Sequence, residues 1–212
     1  MRQIFLDTET TGLSPDGGDR IIEIGCIEMV NRRRTGENKH FYLNPQRLSS
    51  PDAIKVHGLT DEFLADKPLF ATVADELMTY LQGAEVIIHN AAFDVAFLNA
   101  ELERVKRKPF SSVAGRVTDT LLMARDMFPG KSNSLDALCR RLEVDNTSRT
   151  LHGALLDAGL LADVYIRLTR GQDSLVIDGS DGAQAQVTVV KHIDLMALAL
   201  PVIEPTQAEQ QA

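Results

Sequence analysis

Residues 4–13 read IFLDTETTGL, an apolar run ending on two carboxylates spaced two apart and followed by a polar turn. Gln3–Leu6 is predicted to be a buried strand that delivers Asp7 at its end. Alternate residues of a strand share a face, so Asp7 and Glu9 project to the same side. Carboxylates placed so repel each other unless a positive group lies between them, and a divalent cation with oxygen ligands answers that need. Solvated acids on an exposed strand face would read the same way, so the pair alone decides little.

Working outward, Arg20–Val30 (RIIEIGCIEMV) and Lys39–Leu43 read as further strands around the polar turn NRRRTGEN. Ala71–Leu81 is predicted helical, because Val73, Leu77 and Leu81 recur every four residues. A short apolar strand, Glu85–His89, precedes a helix over Phe93–Lys106. Arg116–Thr118 reads as a core strand followed by a helix through Met127. Asn133 or Ser134 offers an N-cap to the next helix, and His152–Leu168 forms a long amphipathic one. Three strands, then strands alternating with helices, argue a mixed α/β sheet with helices packed on it.

The 212 residues are 44% apolar and 25% charged, which suits one soluble globular domain plus an appendage. Cys26 and Cys139 stand apart from any Cys/His cluster and read as reduced core thiols. The first ten residues lack the basic and apolar regions of a leader. No apolar run approaches the roughly 20 residues that span a bilayer. The expectation is a cytoplasmic protein without a membrane partner. A net charge of −8 argues against gripping duplex DNA through many phosphates. It suits an enzyme that touches few nucleotides, meets phosphate through bound cations and gains from being tethered. All 11 aromatic residues precede Gly171, and residues 171–212 carry six acids against one lysine. Such a segment is expected to be flexible or to fold on a partner.

Two further segments carry chemistry. IIHNAAFD (87–94) places His89 and Asn90 at the C-terminal edge of a strand, where ligand sites collect in α/β sheets. Asp94 then falls near a helix N-terminus, which favours a carboxylate and would explain it without any ligand. In His152–Asp157 (HGALLD), five helical residues offset the two side chains by roughly 140°. Both can reach one site only if His152 lies on an irregular turn leading into the helix. Each segment has a structural explanation of its own; the ordered set, D-x-E, then D, then H-x4-D, has none.

That order resembles the motifs of the DnaQ-like exonuclease superfamily, whose four acids bind two metals. His152, with Gly153 where another branch carries tyrosine, resembles its histidine branch (DEDDh). VHGLTDEFL (56–64), MFPGKSNSLDALC (127–139) and RTLHGALLDA (149–158) extend the likeness over about residues 1–172. Together they resemble the family of proofreading epsilon subunits of bacterial DNA polymerase III. The resemblance implies an RNase H-like mixed five-stranded sheet flanked by helices, with the exonuclease domain at 1–171 and a flexible tail at 172–212.

It also implies roles. Asp7, Glu9, Asp94 and Asp157 would hold two divalent cations, Mg²⁺ or Mn²⁺, and His152 would take a proton from water in 3′→5′ hydrolysis. A single-stranded or frayed 3′ end of DNA would lie against Asp7, Glu9, Thr10, Leu13, His57, His89, Asn90, Phe93 and Asp157. For Leu13 and Phe93, core packing is the competing reading. Gln172, Leu175 and Ile177 resemble a sliding-clamp docking peptide, and isoleucine in place of an aromatic residue implies weak binding. The other implied partners are the polymerase III alpha subunit and a small theta-like subunit. Two alternatives remain open: an RNA-trimming or oligonucleotide-degrading exonuclease of the same fold, and a non-catalytic polymerase scaffold.

Overall fold

In the computed structural model of the chain, residues 1–147 and 149–169 are described. Six strand segments, β1 (Arg2–Thr10), β2 (Ile21–Val30), β3 (Arg33–Arg34), β4 (Lys39–Tyr42), β5 (Glu85–Ile88) and β6 (Arg116–Asp119), form one mixed sheet. β1 is central, antiparallel to β2 and parallel to β5, and β6 continues the parallel side. β3 and β4 both pair with β2 on its free edge, β3 at Met29–Val30 and β4 at Glu23–Cys26. Six segments therefore fill the five expected positions.

The stretch NRRRTGEN is not all turn. Asn31 and Arg32 both adopt positive φ, 50° and 63°, and Val30 pairs with Arg33 across them. That is the two-residue reversal whose twist suits antiparallel strands. β1 also runs beyond Leu6 to Thr10, so Asp7 and Glu9 are strand residues themselves. Its pairing with β2 shifts register between Glu9 and Thr10, where the chain turns away.

Helices cover both faces. The even positions of β1, Ile4 and Leu6, pack with α3 (Phe70–Leu81) and α4 (Ala91–Arg104) through Leu77, Leu81, Phe97 and Leu98. On the opposite face Phe5 packs against α5 (Thr120–Met127), α6 (Leu135–Arg141) and α7 (Ala154–Leu168). Two helices that periodicity did not reveal, α1 (Pro51–His57) and α2 (Asp61–Leu64), lie between β4 and α3. Their signals are caps: Ser50 accepts from Ala53 N–H, Thr60 accepts from Phe63 N–H, and Gly58 ends α1 at φ 73°. α1 buries only His57, too little for an apolar stripe.

α7 is held at both ends. Near its start, a Cβ on Gly25 would stand 2.2 Å from the backbone of Ala154 and Leu155. Only glycine lets the helix approach β2 there, directly beside the strand partner Asp7. Towards its end, Arg32 donates to the Ile166 carbonyl (2.9 Å) and to Thr169 Oγ1 (2.8 Å), and Arg34 pairs with Asp163 (2.9 Å). Gly25→Ala is expected to lift α7, costing about 1–3 kcal/mol and, by misplacing Asp157, roughly 10² in rate. Thermal melts and rate measurements that match the unsubstituted protein would refute this account of the contact.

Candidate active site

The end of β1 meets two helix N-termini. α4 starts from Asn90, held at φ 68° and ψ 53°, and carries Asp94 in its first turn. α7 starts from Gly153 and carries Asp157 in its first turn. Both acids are 3% exposed, and each gains from the positive end of its helix. His152 lies outside α7, on the preceding turn, so the rotational offset between it and Asp157 is removed. His152 N–H donates to the Val56 carbonyl (3.0 Å), which ties that turn to α1.

Asp119 fixes the other side of the site. It caps α5 by accepting from Leu121 N–H (2.8 Å), and it also accepts from Ala91 N–H (2.9 Å). One carboxylate thus joins the starts of α4 and α5 and sets the turn that presents Asp94. Thr8, on the far face of β1 from Asp7, donates its hydroxyl to Asp94 Oδ1 (2.7 Å).

Two adjoining cavities result. The first, about 250 Å³, is lined by Asp7, Glu9, Asp94, Asp157 and His152, with His89, Asn90 and Phe93. The second, about 630 Å³, is lined by Thr10, Leu13, Val56 and His57; Thr8, Glu9 and Phe93 border both. All expected site residues among those described therefore face one continuous cleft. Gln172, Leu175 and Ile177 lie outside the described residues.

Local detail sharpens several roles. Leu13 is 86% exposed, so core packing does not explain it. Phe93 packs on Phe97 with ring centroids 4.9 Å apart while bordering both cavities. The Thr10 hydroxyl donates to the Gly12 carbonyl (2.6 Å), which commits its proton to the turn. His57 Nδ1 accepts from Leu59 N–H (3.0 Å), which assigns the ring proton to Nε2. That Nε2 is buried without a hydrogen-bond partner among the described residues, and His57 borders the second cavity. Burial holds the imidazoles of His57 and His89 below their ordinary pKa, favouring the neutral ring.

The acids crowd one another. Burial, then the charges of Asp157 and Glu23, push Glu9 up to about 8. Burial pushes Asp94 up to about 7 against the opposing Thr8 hydrogen bond. Asp7 opens onto the cavity but is otherwise enclosed. That enclosure, followed by Asp94, Asp157 and Glu9, raises it well above the carboxylate range. Arg149 acts in the opposite direction on both Asp7 and Glu9. Ligand atoms of Glu9, His152 and Asp157 lie within 4.8 Å of one another, close enough to share a metal ion. An oxygen-rich set that resists ionisation by itself fits a hard divalent cation.

The raised acids fix a pH dependence. Their protons stay bound in the folded protein well above the pH at which the unfolded chain releases them. Stability must therefore fall as pH rises through the folded pKa values. Burial lowers His57 and His89, so above about pH 7 these two rings are neutral in both states and do not mask the effect. Without metal, the melting temperature should drop between about pH 7 and about pH 9, and saturating Mg²⁺ should flatten the slope. A metal-free melt that is level or rising over that interval would contradict the crowding.

Arg149, Asp119 and Gly25 escaped the sequence reading. An isolated glycine inside an apolar strand does signal close backbone approach, but it does not say what approaches. Nothing in the local sequence marks the partners of Arg149, and Asp119 reads locally as a cap of α5 without marking its bond to Ala91.

Comparison with known proteins gives concordant likenesses. The family model RNase_T, described as Exonuclease, matches residues 4–165. The DNA polymerase III subunit epsilon of Escherichia coli (strain K12) is 53% identical over 98% of this chain and 88% of its own length. That of Pasteurella multocida (strain Pm70) is 53% identical over 100% of this chain and 86% of its own. Among solved structures, Exonuclease X in complex with 5′ overhanging duplex DNA superposes with a TM-score of 0.60 at 26% identity. It covers 79% of this chain and 91% of its own. Exonuclease I, at 19% identity, shares the fold with a TM-score of 0.70, over 80% of this chain and 40% of its own. No helix among the described residues is long and apolar enough to cross a membrane.

Proposed function

The chain belongs to the exonuclease family, among the epsilon subunits of bacterial DNA polymerase III, and from that premise we propose that it removes mispaired 3′-terminal nucleotides from DNA by hydrolysing the last phosphodiester. The observation that carries this reading is the convergence of Asp7, Glu9, Asp94, Asp157 and His152 on one cavity that opens into a second, less polar one. Asp7, Glu9, Asp94 and Asp157 would hold two divalent cations, Mg²⁺ or Mn²⁺, which supply positive charge for the attacking and departing oxygens of an in-line displacement.

The remaining work falls to the chain's own groups. His152, at the rim and partly exposed, accepts the proton of the attacking water. His57, which borders the second cavity, keeps a buried Nε2–H without a partner among the described residues and is the donor we assign to the terminal nucleotide. Leu13 projects from the turn after β1 and wedges against the terminal bases, while Phe93 walls the passage between the cavities. A cleft that reads an end by shape and apolar contact tolerates any sequence. It favours a frayed end, because unpairing there is already done.

Residues 1–171 would be the catalytic domain and 172–212 the segment that docks on partners. Those partners are the polymerase alpha subunit, a theta-like subunit and, weakly through Gln172, Leu175 and Ile177, the sliding clamp. Tethering offsets the poor grip on DNA that a net charge of −8 imposes. The test is degradation of a mispaired DNA primer, its paired counterpart and a short RNA, each with Mg²⁺ and with chelator. The expected order is mispaired over paired DNA, with release of nucleoside 5′-monophosphates and no reaction in chelator. Preference for RNA, or rates indifferent to metal, would sink the proposal.

A further inference from the structure

Arg149 stands three residues before His152 with its side chain only 6% exposed. Its guanidinium is shared among three groups of the site. Nε and one terminal nitrogen donate to the two oxygens of Asp157. The other terminal nitrogen donates to Asp136 Oδ1 (2.8 Å), and the nitrogen on Asp157 also reaches His152 Nδ1 (2.7 Å). Such a fork satisfies both oxygens of a carboxylate at once. Those are the lone pairs a cation at Asp157 would need.

We infer that Arg149 is the resident counter-cation of the metal-free site, which a divalent cation displaces from Asp157 and which is then retained on Asp136. The inference rests on reading the four acids as cation ligands and adds a residue to that reading. Without Arg149, buried Asp157 would face Asp7 and Glu9 with no compensating charge, an arrangement costly in a low-dielectric site. With it, the metal-free protein has a stable ground state.

Asp136 supplies the second anchorage. It lies in the first turn of α6, accepts from Asn146 Nδ2 (3.0 Å) and is 41% exposed in its side chain. Its carboxylate is already bonded to Arg149, so the guanidinium can leave Asp157 by pivoting rather than by moving into solvent. The pivot also changes His152. While Arg149 donates to Nδ1, the proton of a neutral ring must sit on Nε2, and Nε2 then has no lone pair for water. Once Arg149 withdraws, Nδ1 can carry the proton and Nε2 can accept. Occupancy of the acids and readiness of the base become a single event.

The test uses the full chain with ¹⁵N-labelled arginine. The Arg149 Nε–H resonance, identified by its loss in Arg149→Lys, should be protected in chelator. It should shift on Mg²⁺ addition with the midpoint found by calorimetry. Arg149→Gln should melt lower than the unsubstituted protein without metal and bind Mn²⁺ ~10-fold or more tightly, because a positive neighbour a few ångströms from the ion is gone. If that variant does not fold, Arg149→Lys keeps the charge without the fork, and an intermediate gain in Mn²⁺ affinity supports the same conclusion. An Arg149 resonance indifferent to Mg²⁺, while calorimetry shows binding, would overturn this inference alone. Equal or weaker Mn²⁺ binding by Arg149→Gln would do the same. Failure of the unsubstituted protein to bind either ion would overturn the cation reading of the acids along with it.

Discussion

Asp7→Asn is expected to lower exonuclease turnover by ~10³-fold or more while raising the melting temperature of the metal-free protein. The two effects have one cause. Asp7 lies on the central strand, with Glu9 on its own face, Asp157 reaching in from α7 and Asp94 from α4. It is therefore the carboxylate best placed to share charge with every other ligand. Removing it should forfeit several kcal/mol of transition-state stabilisation, at about 1.4 kcal/mol per factor of ten. Burial, then the charges of Asp94, Asp157 and Glu9, raise Asp7 well above the carboxylate range, so an uncharged amide removes a cost that the folded protein otherwise bears. Each kcal/mol gained should appear as about 2–4 °C in a domain of this size. Rates with saturating Mg²⁺ and melts in chelator check both halves. A variant that loses activity and also melts lower would indicate that Asp7 has a structural part the geometry does not explain. If the unsubstituted protein releases no nucleotide under these conditions, a scaffolding role would stand instead.

His152→Ala should reduce turnover by roughly 10²–10⁴-fold and leave Mn²⁺ affinity close to its original value. The side chain is 47% exposed, so little packing is lost. The backbone bond from His152 N–H to Val56 survives the substitution. Yet Glu9, His152 and Asp157 lie close enough to share an ion, and this leaves a sharp alternative. As a base, His152 affects the rate and not the affinity; as a ligand, it affects both. Calorimetry with Mn²⁺ beside single-turnover rates separates the two. Tighter coupling of rate and affinity than a factor of a few would remove the base assignment.

The site was legible in the sequence wherever the governing contacts are local. Strand alternation aligns Asp7 with Glu9. The apolar run IIHN sets Asp94 at a helix start, whereas the helix expected over His152–Leu168 begins only at Ala154 and leaves His152 ahead of it. What stayed hidden depends on partners far along the chain or on features other than periodicity. Gly25 meets Ala154 across 129 positions, and Asp119 reaches back to Ala91. α1 buries one residue, so its caps were the only clue. β3 is two residues long and pairs inside a stretch that composition marks as a turn. Arg149 reads locally as one more surface arginine, and only the fold folds it inward onto Asp157.

The two-ended hold on α7 has a consequence for leverage. The helix starts at the catalytic mouth and its 15 residues carry the chain about 22 Å away, where Arg32 grips Ile166 and Thr169. A load applied at Thr169 would therefore enter at the heel of the described residues rather than at the mouth of the site. Pull from that side passes into the hairpin of β2 and β3, which the grip of Arg32 loads directly, before it reaches Asp157. The cluster around Asp157 thus lies a helix length from the point at which Arg32 braces the end of α7.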